Sequence, residues 1–192
     1  MGEALRKEDA KSGYTYADYR EWELKEGERY ELIHGEAFAM SAPSDYHQSI
    51  LMELSKQIAV YLTGKPCKIR PAPYDVRLFY AVDDTDDTVV QPDISVICDE
   101  KKRGPEGCRG APDFVAEILS PSNTAEEMGR KFRLYRDSGV REYWVLSPEG
   151  KTLDTYLFQD DLIRFRSYSQ GEKAGVGIFP DFAVDLGAVF AE

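Results

Sequence analysis

Apolar residues recur at helical spacing in two long stretches of the chain. Over residues 45–63, the positions that share one helical face are His47, Ile50, Leu51, Leu54, Ile58 and Tyr61. A second amphipathic helix is predicted over residues 125–138, because Gly139 can end it in a left-handed conformation. A short helix over residues 16–25 follows a capping sequence.

Short apolar runs between turn residues predict the strands. They are expected at residues 67–70, 74–80, 89–98, 114–119, 141–146, 152–159 and 162–168, with a hairpin at 29–40 and apolar tail segments at 175–179 and 182–190. This order predicts an α/β fold, with a mixed central sheet flanked by helices, an N-terminal hairpin and a C-terminal β meander. We expect residues 1–13 to form a flexible leader and residues 14–192 a single domain.

Two predicted strands carry a carboxylate among apolar residues. Asp93 stands at the start of one apolar run and Glu117 in the middle of another. A buried carboxylate is costly unless it is paired or binds a metal, and these two could converge if their strands are neighbours. Their oxygens suit Mg²⁺ or Mn²⁺, and the backbone carbonyl of Ile118 could add a ligand. The structural alternative is that Asp93 starts a turn and Glu117 pairs with an arginine.

A lysine on the second long helix points toward the same region. Lys131 lies beside the apolar stripe of Met128, Phe132 and Tyr135, so its ammonium needs a partner, for which Glu117 and Asp93 are the expected candidates. Alternatively, the side chain extends past the apolar surface and reaches water. His47 lies on the apolar face of the first long helix, where it is either a core histidine or an acid–base group.

Composition limits the possible partners and the compartment. With 24 basic and 35 acidic residues, the net charge is −11, so the chain repels nucleic acid at long range. Local basic residues or a metal would have to attract a phosphodiester, and Arg130 and Arg133 on the second helix are weak candidates. No stretch approaches the ~20 apolar residues of a membrane span, and the N-terminus lacks signal-peptide features. We expect a cytoplasmic protein with no membrane association.

The three cysteines show neither an even count nor CxxC spacing. Cys67, Cys98 and Cys108 are therefore expected to be free thiols, although Cys98 and Cys108 flank a loop and could pair on oxidation.

Five segments together resemble the PD-(D/E)XK nuclease superfamily, and most of all its endonuclease branch called the Uma-two family. The segments are RYELIHGE at 29–36, VQPDISV at 90–96, PDFVAEILSPS at 112–122, KFRLY at 131–135 and GVREYW at 139–144. The resemblance covers residues 14 to about 190. The superfamily motif has lysine two residues after the glutamate, where this chain has Leu119, and Lys131 fits the position from which the family replaces it.

The resemblance implies a Mg²⁺- or Mn²⁺-dependent endonuclease that cleaves DNA and works as a homodimer. Asp93 and Glu117 would bind the metal, and Lys131 would orient the attacking water. Glu31 and Asp75 are further candidates, although Glu31 could instead form a salt bridge on an exposed hairpin.

Two other functions remain open. Leu119 and the negative charge would fit a catalytically inactive binding or assembly module of the same fold. A metal phosphohydrolase of a small nucleotide would need a closed pocket, whereas a nuclease would need a long basic groove.

Overall fold

The computed structural model describes residues 13–160 and 162–191. These residues form four α-helices and one short 3₁₀ turn. The helices are α1 (Tyr16–Arg20), α2 (Asp45–Tyr61), α3 (Ala125–Ser138) and α4 (Leu186–Val189), and the 3₁₀ turn is Glu100–Lys102. Among the helices described, none combines the length and the apolarity that crossing a membrane requires. The predicted leader lies outside the described residues except for Gly13, and the single domain stays a prediction.

The helix ends follow local side-chain chemistry. The Thr124 hydroxyl accepts a hydrogen bond from the Glu127 amide at 3.1 Å, and Gly139 ends α3 with φ of 93°. Both long helices lie where the sequence predicts them. The first helix ends at Arg20 rather than near Lys25. Trp22 packs against Tyr14 with ring centroids 5.3 Å apart, and this contact accompanies the early end of α1.

The strands form two six-stranded mixed sheets and a separate hairpin. The first sheet has the order β2 (Glu36–Ala39), β1 (Tyr30–Ile33), β5 (Val89–Val90), β4 (Val76–Arg77), β8 (Gly107–Arg109) and β7 (Arg103–Gly104). The second has the order β12 (Leu162–Ser169), β11 (Thr152–Gln159), β10 (Glu142–Ser147), β9 (Phe114–Ile118), β6 (Ile94–Ile97) and β3 (Lys68–Pro71). The hairpin pairs β13 (Lys173–Val176) with β14 (Phe179–Asp185).

The predicted mixed sheet is confirmed, but its strands are divided between two sheets. The long strand predicted over 89–98 is broken at residues 91–93, so that β5 joins the first sheet and β6 the second. Pro92 lies in the break, and proline cannot donate a hydrogen bond to a sheet. The break places Asp93 at the junction of the two sheets.

The core lies on both faces of the second sheet. On one face, Ile94 and Phe114 pack in a cluster with the apolar residues of α2. On the other face, Val115 and Tyr143 pack in a cluster with Leu134 and Tyr135 of α3. Burial on both faces explains why the central strands are continuous apolar runs, in which a carboxylate is conspicuous.

One prediction about the cysteines is wrong. Cys67 and Cys98 form a disulfide, and the buried Cys108 is the free thiol. The antiparallel register pairs Lys68 with Ile97, which places Cys67 and Cys98 opposite each other one residue further along. Cys108 lies instead in the first sheet, where it cannot pair with Cys98, and burial raises the pKa of its thiol to about 12.

Candidate active site

The two carboxylates singled out in the sequence lie at one point of the second sheet. β6 and β9 are antiparallel, with Ile94 opposite Ala116, so the register carried one residue further sets Asp93 opposite Glu117. Oδ2 of Asp93 accepts a hydrogen bond from the Ile118 amide at 2.7 Å. The side chain of Asp93 retains 17% of its accessible surface and that of Glu117 retains 10%, so each carboxylate keeps limited access to solvent.

Lys131 contacts two buried carboxylates from α3. Its Nζ lies 3.0 Å from Oε1 of Glu117 and 3.2 Å from Oε2 of Glu31. The lysine therefore points inward rather than past the core to water. The partner of Glu117 is this lysine and not an arginine, which contradicts the structural alternative for Glu117.

The electrostatics of this group differ from those of exposed side chains. Burial raises the pKa of Glu117 to about 7; Lys131 opposes this shift, whereas Asp93 and Glu31 add to it. Burial disfavours the charged form of Lys131, but the two glutamates outweigh burial and hold its pKa above the usual value. Lys131 is thus an ammonium at neutral pH, suited to donating hydrogen bonds and stabilising negative charge rather than to accepting a proton.

Tyr135 is a site residue that the sequence did not identify as one. Its hydroxyl donates a hydrogen bond to Oε1 of Glu117 at 2.5 Å, and burial holds its pKa well above the usual value. The available signal was the spacing, because Tyr135 is one helical turn after Lys131 on the same face of α3. A buried phenol also needs a hydrogen-bond partner.

His47 approaches Asp93 from the first turn of α2. Its amide donates to the Ser44 side chain at 3.2 Å, which fixes the turn, and its Nε2 lies 3.3 Å from Oδ2 of Asp93. Burial disfavours the protonated imidazole, but the hydrogen bond and charge of Asp93 and the carbonyl of Ile118 raise its pKa overall. His47 thus contacts the groups predicted to bind a metal and is not an isolated core histidine.

Glu31 and Asp75 reach the region from the first sheet. Glu31 is buried, not exposed on its hairpin, and its Oε1 accepts the Gln91 amide at 3.0 Å in addition to the contact with Lys131. Asp75 accepts hydrogen bonds from Gln91 Nε2 at 2.8 Å and the Tyr19 hydroxyl at 3.2 Å. Asp75 is linked to the site through Gln91, and burial raises its pKa.

The two arginines predicted to contact nucleic acid lie outside this group. The guanidinium of Arg130 is 4.1 Å from the ring centroid of Phe38, and Arg133 is exposed on α3. Both flank Lys131 in the sequence, but neither forms an ion pair with a site carboxylate in the described part of the chain.

The carboxylate oxygens of Asp93 and Glu117 can be compared with the coordination that Mg²⁺ or Mn²⁺ requires. Within residues 13–160 and 162–191, there is no group of three or more His, Cys, Asp or Glu residues arranged to hold a metal ion. In the same ranges, Oδ1 of Asp93 and Oε2 of Glu117 accept no hydrogen bond. Two such oxygens fit a site in which water and substrate oxygens complete the coordination of Mg²⁺ or Mn²⁺.

Comparisons with known proteins identify a family and two similar sequences. Residues 16–187 match the family model Uma2, described as "Putative restriction endonuclease". Two uncharacterized proteins of Synechocystis sp. (strain ATCC 27184 / PCC 6803 / Kazusa) are similar. The protein slr1290 is 29% identical over 88% of this chain and 88% of its own, and sll1609 is 27% identical over 69% and 73%.

A solved structure shares the fold. The crystal structure of a putative nuclease belonging to DUF820 from Anabaena variabilis ATCC 29413 superposes with a TM-score of 0.73. The match covers 92% of this chain and 97% of that one, at 19% identity. Because the family model spans nearly the whole sequence, the chain belongs to the Uma2 family.

Proposed function

We propose that the protein is a metal-dependent endonuclease that hydrolyses phosphodiester bonds in DNA, with a restriction-endonuclease-like fold. The observation that carries this proposal is the position of Lys131. A buried ammonium lies 3.0 Å from Glu117 although the usual motif position is occupied by Leu119. A lysine supplied by α3 thus compensates for the one that the strand lacks.

Each residue of the site has a role in this proposal. Asp93 and Glu117 would hold Mg²⁺ or Mn²⁺, with the Ile118 carbonyl as a further ligand. The ion would polarise a phosphoryl oxygen and lower the pKa of the attacking water. Lys131 donates hydrogen bonds that orient this water and stabilise the charge on the phosphate. Glu31 and Tyr135 hold Lys131 and Glu117 in place.

Hydrolysis requires a proton at the leaving oxygen and the removal of one from water. Nε2 of His47 lies 3.3 Å from Oδ2 of Asp93, and an imidazole can both accept and donate a proton, so we assign His47 to take the proton from the water and return it to the leaving oxygen. The water oxygen bonds to phosphorus as the phosphorus–oxygen ester bond breaks. A duplex cut on both strands favours two copies of the chain, so we retain the homodimer as a prediction.

The proposal is tested by metal binding and cleavage together. Calorimetry with Mg²⁺ and Mn²⁺ and a plasmid-nicking assay are applied to the parent, Asp93→Asn and Glu117→Gln. We expect the parent to bind metal and nick DNA, and both variants to lose nicking. The matched control is Asp137→Asn, because Asp137 is an exposed carboxylate on α3. Nicking by either site variant at the parental rate would contradict the proposal.

An inactive binding or assembly module is the second candidate. The observation that favours it is that Lys131 and Tyr135 both donate hydrogen bonds to Oε1 of Glu117, so the protein itself satisfies part of this carboxylate. In this case the parent would bind no Mg²⁺ or Mn²⁺ at millimolar concentration and would not nick DNA. No contact among the described residues favours a phosphohydrolase of a small nucleotide.

A further inference from the structure

Two arginines and a tyrosine lie at the corner where the two sheets join. They are outside the group formed by Asp93, Glu117, Glu31 and Lys131, which we call the carboxylate–lysine group. We name Arg70, Tyr74 and Arg103 the arginine–tyrosine cluster. The guanidinium carbon of Arg70 lies 5.9 Å from the ring centroid of Tyr74. Arg103 pairs with Cys108, and Cys108 pairs with Val76, two residues after Tyr74. The register therefore brings Arg103 to the same corner of the molecule.

The cluster lies close to the candidate active site. Arg70 pairs with Ser95 and Ser95 with Val115, so Arg70 shares a face of the second sheet with Val115 and Glu117. The amide of Ala72 donates to the carbonyl of Asp93 at 2.9 Å. Arg70 is thus a diagonal cross-strand neighbour of Asp93, a relation that corresponds to about 7–8 Å between Cα atoms.

The charge of the cluster is poorly neutralised. Some arginines of this acidic chain have carboxylate partners: Arg77 pairs with Asp84 and Asp86, and Arg141 pairs with Asp113. In the described ranges Arg70 has no carboxylate partner, and its Nη1 donates to the carbonyl of Ile69 at 2.9 Å. Arg103 reaches Glu100 at 4.0 Å, but the Glu100 side chain is 92% exposed.

The phenol of Tyr74 completes a site for an anion. Arg70 lies over its ring, and the register of β4, β8 and β7 brings Arg103 to the same corner. Burial and Cys108 raise the pKa of the hydroxyl, whereas Arg70 and Arg103 lower it. Two guanidiniums and a neutral hydroxyl donor are the groups that bind phosphate oxygens in protein–DNA contacts. With a net charge of −11, the chain needs local positive charge, from basic residues or from a metal, to attract DNA, and this cluster supplies basic residues.

We propose that Arg70, Tyr74 and Arg103 bind a backbone phosphate of DNA next to the scissile phosphodiester. This inference rests on the proposed nuclease function and assigns a substrate-binding surface that the carboxylate–lysine group does not supply. The contact is to phosphate and not to a base, so it adds affinity and register without sequence preference. Asp93, the diagonal cross-strand neighbour of Arg70, would act on the adjoining phosphodiester.

The test measures DNA affinity as a function of salt. A fluorescein-labelled duplex is titrated with the parent, Arg70→Ala/Arg103→Ala, Arg70→Lys and Tyr74→Phe, with Ca²⁺ in place of Mg²⁺ so that the DNA stays intact. We expect the double variant to lose about tenfold in affinity and its plot of log K against log salt to flatten by about 0.9 for each phosphate that it no longer neutralises. Arg70→Lys should retain the slope, and Tyr74→Phe should lose less affinity than the double variant.

The control variant is Arg164→Ala/Arg166→Ala. It removes the same charge from exposed positions of β12, the opposite edge strand of the second sheet from β3. Equal losses of DNA affinity in the two double variants would contradict the assignment of the arginine–tyrosine cluster as a phosphate-binding site. So would a fall in Mn²⁺ affinity of the cluster variant, because the cluster would then act through the metal site. If the parent cuts DNA while the cluster variants bind DNA with parental affinity, the proposed phosphate binding by the cluster is wrong and the proposed nuclease function is supported. If the parent neither binds nor cuts DNA, both the nuclease function and the phosphate-binding role of the cluster are wrong.

Discussion

Lys131 is the residue on which the site depends electrostatically. Its ammonium contacts both Glu31 and Glu117 in a buried position. Removing one partner of a buried ion pair leaves uncompensated charge and commonly destabilises a protein by about 3–5 kcal/mol. We therefore expect Lys131→Met to lower the free energy of unfolding in urea by about this amount while abolishing cleavage.

The matched variant is Lys131→Met/Glu117→Gln, in which one of the two uncompensated carboxylates is also removed. We expect it to recover part of the lost stability but none of the activity. If Lys131→Met unfolds at the same urea concentration as the parent, the buried ion pairs of Lys131 do not form in solution.

Stability of the metal-free protein should fall as the pH rises from about 5 to about 8. The pKa of Glu117 is raised to about 7 from an ordinary value near 4.5, so the folded state binds a proton more tightly than the unfolded state does. Stability is therefore greatest below the unfolded pKa and declines through the folded one. The raised pKa of His47 acts in the same direction, because its contribution is lost as the imidazole deprotonates.

Urea unfolding at several pH values measures this dependence. In Glu117→Gln the decline between about pH 5 and about pH 7 should become shallower, leaving the contributions of the other groups with raised pKa values, which are His47, Asp75 and Glu142. A parental stability that rises across this range would contradict the raised pKa of Glu117.

At the scale of elements, α3 carries the site because it presents Lys131 and Tyr135 on one face. Its two glycines give opposite expectations. Gly139 ends the helix with φ of 93°, where a side chain is strained, so Gly139→Ala should cost about 1–2 kcal/mol. A Cβ at Gly129, inside the helix, would meet Arg133 Nη1 at an ordinary 3.5 Å, so Gly129→Ala should stabilise by about 0.5–1 kcal/mol.

Thermal unfolding of the two alanine variants distinguishes these effects. Each variant is the control for the other, because both replace glycine by alanine in α3 and the two positions differ in backbone conformation. Destabilisation by both variants would show that Gly129 has a packing role that its surroundings do not suggest.

At the scale of the whole molecule, the sequence predicts local elements better than it predicts their partners. Periodicity predicted α2, α3 and most central strands because burial on one or two faces leaves a regular pattern. The division of strand 89–98 between two sheets was not predictable, since it depends on which strands β5 and β6 pair with. The same limit applies to the disulfide, because Cys67 and Cys98 are 31 residues apart and only sheet register brings them together.

The candidate site shows the same division. Asp93, Glu117 and Lys131 were recognisable because each is a charged residue in an apolar pattern. Tyr135 was hidden in the apolar stripe of α3, and the burial of Glu31 depends on how the first sheet meets α3. Which buried polar groups find one another is a property of tertiary packing and not of spacing along one element.

Glu142 connects the C-terminal hairpin to the sheet that carries the site. It is buried in β10, and its carboxylate accepts hydrogen bonds from Trp144 Nε1 at 2.7 Å, the Gly177 amide at 3.0 Å and the Ile178 amide at 2.9 Å. Burial raises its pKa, whereas these three donors lower it. Glu142→Ala would leave three donors without this acceptor, and each hydrogen bond to a charged group contributes about 1.5–3 kcal/mol.

We expect Glu142→Ala to loosen the hairpin of β13 and β14 before it affects the site. Native-state hydrogen exchange should become faster for amides of residues 173–185, while those of β9 and α3 keep their protection. The control is Glu149→Ala, because Glu149 is exposed in the turn that follows β10. If Glu142→Ala accelerates exchange equally in α3 and in the hairpin, the C-terminal region and the site unfold as one cooperative unit. Since Glu142 belongs to the strand next to Glu117, that result would extend the structural support of the candidate site to the hairpin of β13 and β14.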